Sequence, residues 1–107
     1  MTMTKPFIIT KVSWILQTKG MEGFEGSVVD YHYYLAKFLQ DNDLTLRKLV
    51  KSKSDIGHEF EISSDDLTDE GMQVLRLGLD KWGEKVDNGA SPKDTSILAK
   101  VLDKIRS

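Results

Sequence analysis

The chain contains no cysteine. Disulfide frameworks and thiolate metal sites are thereby excluded, and a reducing cytoplasm is the compartment that suits such a composition. Long apolar runs are also missing. The opening stretch MTMTKPFIITKVSWIL holds three consecutive apolar residues before Thr10 and Lys11 interrupt it. That is neither the sectioned pattern of a signal peptide nor anything close to a membrane span of about 20 residues. No serine sits in a glycine-flanked elbow, and no Lys-Ser or Lys-Thr pair directly follows the run of Gly20, Gly23 and Gly26. Neither a serine nucleophile nor a phosphate loop is indicated. The two histidines, His32 and His58, fall in different elements. A metal reading of His58 with Glu59 and Glu61 needs a further convergent ligand, so an exposed loop histidine is the simpler account. Asp65, Asp66, Asp69 and Glu70 lack the alternating oxygen ligands, central glycine and terminal glutamate of a calcium loop. The expectation is a protein with no catalytic group, no cofactor and no metal site.

What is present describes one globular domain, residues 1–107, with 39% apolar and 30% charged residues. A chain of this length buries about two thirds of its extended surface, enough for one core. Repeats, low-complexity tracts and linkers are absent.

The clearest element is 67–86, LTDEGMQVLRLGLDKWGEKV. Met72, Leu75, Leu79, Trp82 and Val86 are spaced by three, four, three and four residues, which places them on one stripe of a helix. Thr68 is its N-cap, with Asp69 and Glu70 in the first turn, where the helix dipole favours negative charge. Asn88-Gly89 ends it. Gly71, Gly78 and Gly83 each cost about 1 kcal/mol of helix propensity relative to alanine, so packing must hold this helix together. It is read as the central one.

Residues 5–19 fit two patterns. As a strand, Ile8, Thr10, Val12, Trp14 and Leu16 share a face. As a helix, Ile8, Val12, Ile15 and Leu16 share a stripe, with Pro6 in the first turn and Gly20 at the end. The helix is preferred, because a strand needs a partner and only 59–63 offers one. Residues 20–27, GMEGFEGS, read as a loop. A helix then runs over 28–40, burying Val28, Tyr31, Leu35, Phe38 and Leu39, with Tyr34 beside them and His32 and Lys37 turned outward. Asp41-Asn42-Asp43 breaks it. Residues 44–50 are expected to add one or two helical turns that bury Leu46, Leu49 and Val50. Phe60 and Ile62 alternate with acids, as in a short extended segment. The last helix is expected to start at Ser91-Pro92, with Ser91 as N-cap, and to bury Ile97, Leu98, Val101, Leu102 and Ile105. Trp14 and Trp82 are both assigned to the core, though either would suit an interface. The fold class is mostly α, a compact bundle of four or five helices. The alternative is α+β, with a short strand at 7–16 pairing with 59–63.

Charge is unevenly spread. Seven acids and no Lys or Arg lie in 55–70, leaving ten acids against fifteen bases elsewhere. The bland reading of this block is a solvated loop and helix start. The functional reading is a surface that docks on a positively charged groove, such as a nuclease uses for nucleic acid, by presenting carboxylates where phosphates would sit. The partner-binding residues are then Asp55, Glu59, Phe60, Glu61, Asp65, Asp66, Asp69 and Glu70, with Phe60 as an apolar anchor and tyrosines of the second helix extending the surface. The competing reading is a small nucleic-acid-binding regulator. Arg47, Lys48, Lys51 and Lys53 lie on a loose helix-turn-helix outline over 44–56. The seven acids that follow would repel the same backbone, and the net charge of −2 is unfavourable for a phosphate binder.

Several stretches, KVSW at 11–14, FLQDNDLTLRKLV at 38–50, DDLTDEG at 65–71, DKWGEKVDNG at 80–89 and SPKDTSIL at 91–98, together resemble small bacterial immunity proteins of polymorphic toxin systems. Such proteins are encoded beside contact-dependent or Rhs-type toxins. The resemblance implies stoichiometric neutralisation of a cognate toxin domain in the cytoplasm, without catalysis. It carries no binding residue to a particular position, because immunity proteins share a role and not one fold.

Overall fold

The computed structural model describes residues 7–19 and 25–107. In chain order these form β1 (Ile8–Lys11), α1 (Val12–Lys19), α2 (Glu25–Asp41), β2 (Glu61–Ser63), α3 (Asp69–Asp87) and α4 (Ser96–Arg106), with 3-10 turns at Lys53–Asp55 and Ser64–Asp66. The architecture is mostly helical with a small antiparallel ribbon, closer to the α+β alternative than to an all-helical bundle.

The ambiguity at the start of the chain resolves by division. Residues 8–11 are strand and 12–19 are helix, so the preference for helix throughout is corrected. Lys11 faces Glu61 and Thr10 faces Ile62, with an irregularity before Ile8 meets Ser63. The ribbon also explains the switch. The amides of Val12 and Ser13, which open α1 and have no acceptor within it, donate to the carbonyls of Phe60 and His58 at 3.1 and 3.2 Å. The segment leading into the second strand thus caps the helix that follows the first. Pro6, Gly20 and most of the expected 20–27 loop lie outside the described residues. The described part of that loop, 25–27, already belongs to α2, which starts ahead of Ser27.

Two further helices were misplaced by the sequence pattern. Residues 44–50 do not form helical turns. Several of their backbone groups are taken elsewhere and are lost to an i to i−4 ladder. The Leu44 carbonyl accepts from the Thr68 amide at 2.9 Å, Leu46 N–H donates to the Asp66 carbonyl at 2.8 Å, and Thr45 bridges Leu67. The Gln40 side chain accepts from the amides of Leu49 and Val50 and donates to the Val50 carbonyl, tying this segment to α2. Leu44, Leu49 and Val50 are buried, while Leu46, expected inside, is 67% exposed. The last helix begins at Ser96 and not at Ser91-Pro92. Ser91 instead starts a turn whose carbonyl accepts from the Asp94 amide, and Asp94 accepts from Ser96 N–H at 3.1 Å.

α3 matches its expectation most closely. Thr68 caps it by accepting from Gly71 N–H at 3.0 Å, and the chain turns away at Gly89, whose φ of 106° suits glycine. Its buried line, however, is Gly71, Val74, Leu75, Gly78 and Trp82, while Met72, Leu79 and Val86 are only partly covered. Two of the three glycines therefore sit on the packed face. A Cβ at Gly78 would stand 3.1 Å from Val101 and 3.2 Å from Leu98, so α4 lies close against α3 at that point. Trp82 is fully buried, stacks on Tyr31 of α2 with ring centroids 4.7 Å apart, and donates its indole N–H to the Asp94 carbonyl at 2.9 Å. Leu35, Leu39, Leu44, Ile62, Val74, Leu98 and Leu102 fill the same core.

Candidate functional site

The acidic segment 55–70 does not form one face. Three of its carboxylates are used by the fold. Asp55 accepts the amides of Lys51 and Ser52 at 2.7 and 3.1 Å, and these bonds hold its pKa below the usual carboxylate value. Asp66 is only 7% exposed and accepts from Arg47 Nε at 2.8 Å and from Ser63 N–H at 3.1 Å. Burial pushes its pKa up, but the Ser63 amide and the Arg47 guanidinium outweigh that, and the net shift is downward. Glu70 takes two bonds from Arg106, at 2.9 and 2.6 Å, and Arg106 also reaches the Asn42 carbonyl. That triangle fastens the end of α4 to the start of α3 and the end of α2.

The other members lie further out. Glu59 carries an 88% exposed side chain that meets Lys11 Nζ at 3.1 Å, and Glu61 is half-buried opposite Lys11 on the ribbon. Asp65 and Asp69 line a shallow hollow with Phe7, Ser64, Met72, Gln73 and Arg76, of about 570 Å³. The Phe7 ring in this hollow is 49% exposed. Phe60, expected as an anchor for a partner, is half-buried against the core with its ring edge-on to His32.

The basic run is dispersed as well. Arg47 pairs with Asp66, and Lys53 Nζ sits 3.0 Å from Asp30 and 5.1 Å from the Tyr34 ring centroid. Lys48 lines a separate hollow with Gln40, Asp41, Asp43 and Thr45. Without helical turns at 44–50, the helix-turn-helix outline is not formed.

A second surface escaped the sequence reading. Between the ribbon and α1 on one side and α3 on the other runs an open groove of about 440 Å³. Ile9, Trp14, Ile15, Tyr31, Leu79 and Gly83 give it apolar walls, and Asp80, Glu84, Asp87 and Lys11 surround them. Trp14, assigned to the core, is 47% exposed there. Burial together with the nearby charges of Asp87 and Asp80 pushes the Tyr31 phenol up to about 12. The available signal was the spacing of Asp80, Glu84 and Asp87 by four and three, which puts them on one helix face. Spread through a helix of mixed charge, they read as solvated surface beside the denser block upstream.

His32 is misjudged in the opposite sense. It is fully buried where an outward position was expected. Its Nδ1 lies 2.9 Å from the Val28 carbonyl, which can only accept, so Nδ1 carries the proton. Nε2 is then left to accept from the buried Thr10 hydroxyl at 2.9 Å. Burial holds the His32 pKa below its usual value, against the opposing pull of the Val28 bond. The pair fastens β1 to α2 and is structural. Among the described residues, no cluster of three or more His, Asp or Glu side chains is placed to hold a metal ion, and no helix is long and apolar enough to cross a membrane.

No family model, curated protein or solved structure matches the chain.

Proposed function

We propose that this chain is a non-catalytic protein-binding domain that neutralises a cognate toxin domain in the cytoplasm, as the immunity proteins it resembles do, by covering a basic surface such as the groove of a nuclease. The observation that supports this reading is the outward half of segment 55–70. Asp55, Asp66 and Glu70 are tied into the fold, while Glu59, Glu61, Asp65 and Asp69 lie further out, Glu59 beside Lys11 and Asp65 beside the Ser63 hydroxyl. Asp65 and Asp69 lie beside the exposed Phe7 ring. An apolar centre with a charged rim is the usual composition of a protein interface. Complementary charge there would speed encounter and select the partner, with buried rings contributing affinity.

The test is a pull-down of the tagged protein from its source cells, repeated with Glu59, Glu61, Asp65 and Asp69 all changed to alanine. The expected result is one stoichiometric partner with a basic domain, retained more weakly and with less salt dependence by the variant, whose circular dichroism is unchanged. Asp66 is left intact because removing it would take the acceptor from the Ser63 amide and disturb the fold. Capture that is indifferent to all four changes would remove the acidic segment from the interface. Recovery of nucleic acid in place of protein would overturn the reading altogether.

A further inference from the structure

We propose that the groove between α1 and α3 receives an arginine side chain from a basic segment of a partner protein, at a site separate from segment 55–70. The apolar walls come first. Trp14 offers about half of its surface, Ile9, Ile15 and Leu79 flank it, and Tyr31 lies alongside with Trp82 stacked behind it. Gly83 keeps that part of the groove open, because a Cβ there would stand 3.5 Å from the Tyr31 hydroxyl and 3.9 Å from its ring. A volume of about 440 Å³ lies within the ~300–1,000 Å³ typical of ligand pockets and accommodates a long side chain with some of its backbone.

Charge then selects the occupant. Among the described residues, Asp80 and Glu84 border the groove together with Asp87, which has an interaction of its own, and with one ammonium, Lys11, which already has Glu59 at 3.1 Å. Among the described residues neither Asp80 nor Glu84 is held in an ion pair, in contrast to Asp66 and Glu70. The raised pKa of Tyr31 has the same origin in part, since Asp87 and Asp80 disfavour a second negative charge there. An anionic or purely apolar occupant would leave Asp80 and Glu84 facing either a like charge or a dry surface. A cation satisfies them.

Arginine fits better than lysine. Its flat guanidinium stacks on an indole face and can bond two carboxylate oxygens at once, while its weaker hydration lowers the cost of entering an apolar groove. The ammonium of lysine is a strongly hydrated point charge that gains less from Trp14.

The test uses the full chain and a tetra-arginine peptide at about 150 mM salt, where diffuse attraction between exposed charges is screened beyond about 8 Å. Binding is followed by isothermal titration calorimetry, so that the parent and Trp14→Ala are read on one scale. In the parent, Trp82 is fully buried and Trp14 half-exposed, so an accompanying change in tryptophan emission reports on the groove. Tetra-arginine is expected to bind at least about fivefold more tightly than tetra-lysine, the scale of one exposed cation–π contact. Trp14→Ala, and separately Asp80→Asn with Glu84→Gln, should each weaken binding by about fivefold or more. The variant with only Asp65 and Asp69 changed to alanine should stay within about twofold of the parent, which separates this site from the one proposed above. The paired amide variant changes only exposed positions on α3, so it guards against a folding defect at Trp14. Equal affinity for the two peptides would overturn the proposal, as would affinity unchanged by the groove substitutions. A dimer of the chain that Trp14→Ala abolishes would do the same, since a second copy would then be the occupant.

Discussion

Gly71→Ala is expected to destabilise the protein by about 3 kcal/mol, even though alanine is the better helix former by about 1 kcal/mol. The added Cβ would lie 2.5 Å from the Leu44 carbonyl oxygen and 3.2 Å from the Leu44 Cβ. That carbonyl is poorly placed to retreat, because it accepts from the Thr68 amide at 2.9 Å and the Thr68 hydroxyl at 3.2 Å. Relief requires either the cap of α3 or the 44–50 segment to move. Gly83 provides the comparison within the same helix. A Cβ there meets only the Tyr31 ring and hydroxyl, at ordinary contact distances of 3.9 and 3.5 Å. Gly83→Ala should therefore keep the propensity gain and stabilise by up to about 1 kcal/mol. Urea unfolding of the two variants decides it. Equal midpoints, or a more stable Gly71→Ala, would mean that the 44–50 segment does not press on α3.

Replacing His32 with leucine should cost about 2 kcal/mol at pH 8, since the buried Thr10 hydroxyl loses its partner. The same change should alter the dependence on pH. The folded state holds the His32 pKa below the ordinary 6.5, so below pH 6.5 the unfolded chain takes up a proton that the folded protein resists. Stability from this residue is complete above that value and is lost as pH falls through the folded pKa. The loss is limited to one proton, about 1.4 kcal/mol per pH unit. The leucine variant should lack this component in the range above about pH 5, before carboxylate protonation takes over. His58 is present in both proteins and provides a common background. Parallel profiles of melting temperature against pH between 5 and 7.5 would show that His32 is not held neutral.

How much of this was legible depended on whether a residue's role was local. α3 was readable because its cap, its stop and its apolar spacing all lie within it. The face that Gly71 and Gly78 occupy was not, since a glycine that admits a neighbour looks in sequence like a glycine that weakens a helix. Residues 44–50 carry a helical pattern that Gln40, Asp66 and Thr68 override by claiming their backbone groups. His32 looked outward because its hydroxyl partner, Thr10, belongs to a strand whose sequence pattern reads, by preference, as helix. The acidic block was visible as composition, but which carboxylates the fold ties down was decided by Arg47, just upstream, and by Arg106, far from it in the chain. The groove acids were the converse case, with no density to attract notice until Trp14 arrived opposite them.

The ribbon that joins β1 to β2 also bears on the order in which the chain assembles. Thr10 and Ile62 are about fifty residues apart in sequence, so bringing them together carries a chain-closure cost before any contact repays it. α3 and α4 are joined by a short connection and meet through Gly78, Leu98 and Val101, which costs far less to bring together. The helical pair is expected to form in the transition state, and the ribbon after it. Ile62→Val should then speed unfolding and leave the refolding rate unchanged, whereas Leu98→Ala should slow refolding. Stopped-flow rates that reverse this assignment would place closure first. Because β1 continues directly into α1, the wall that carries Trp14 would be set last, and the groove would take its shape only in the final step of folding.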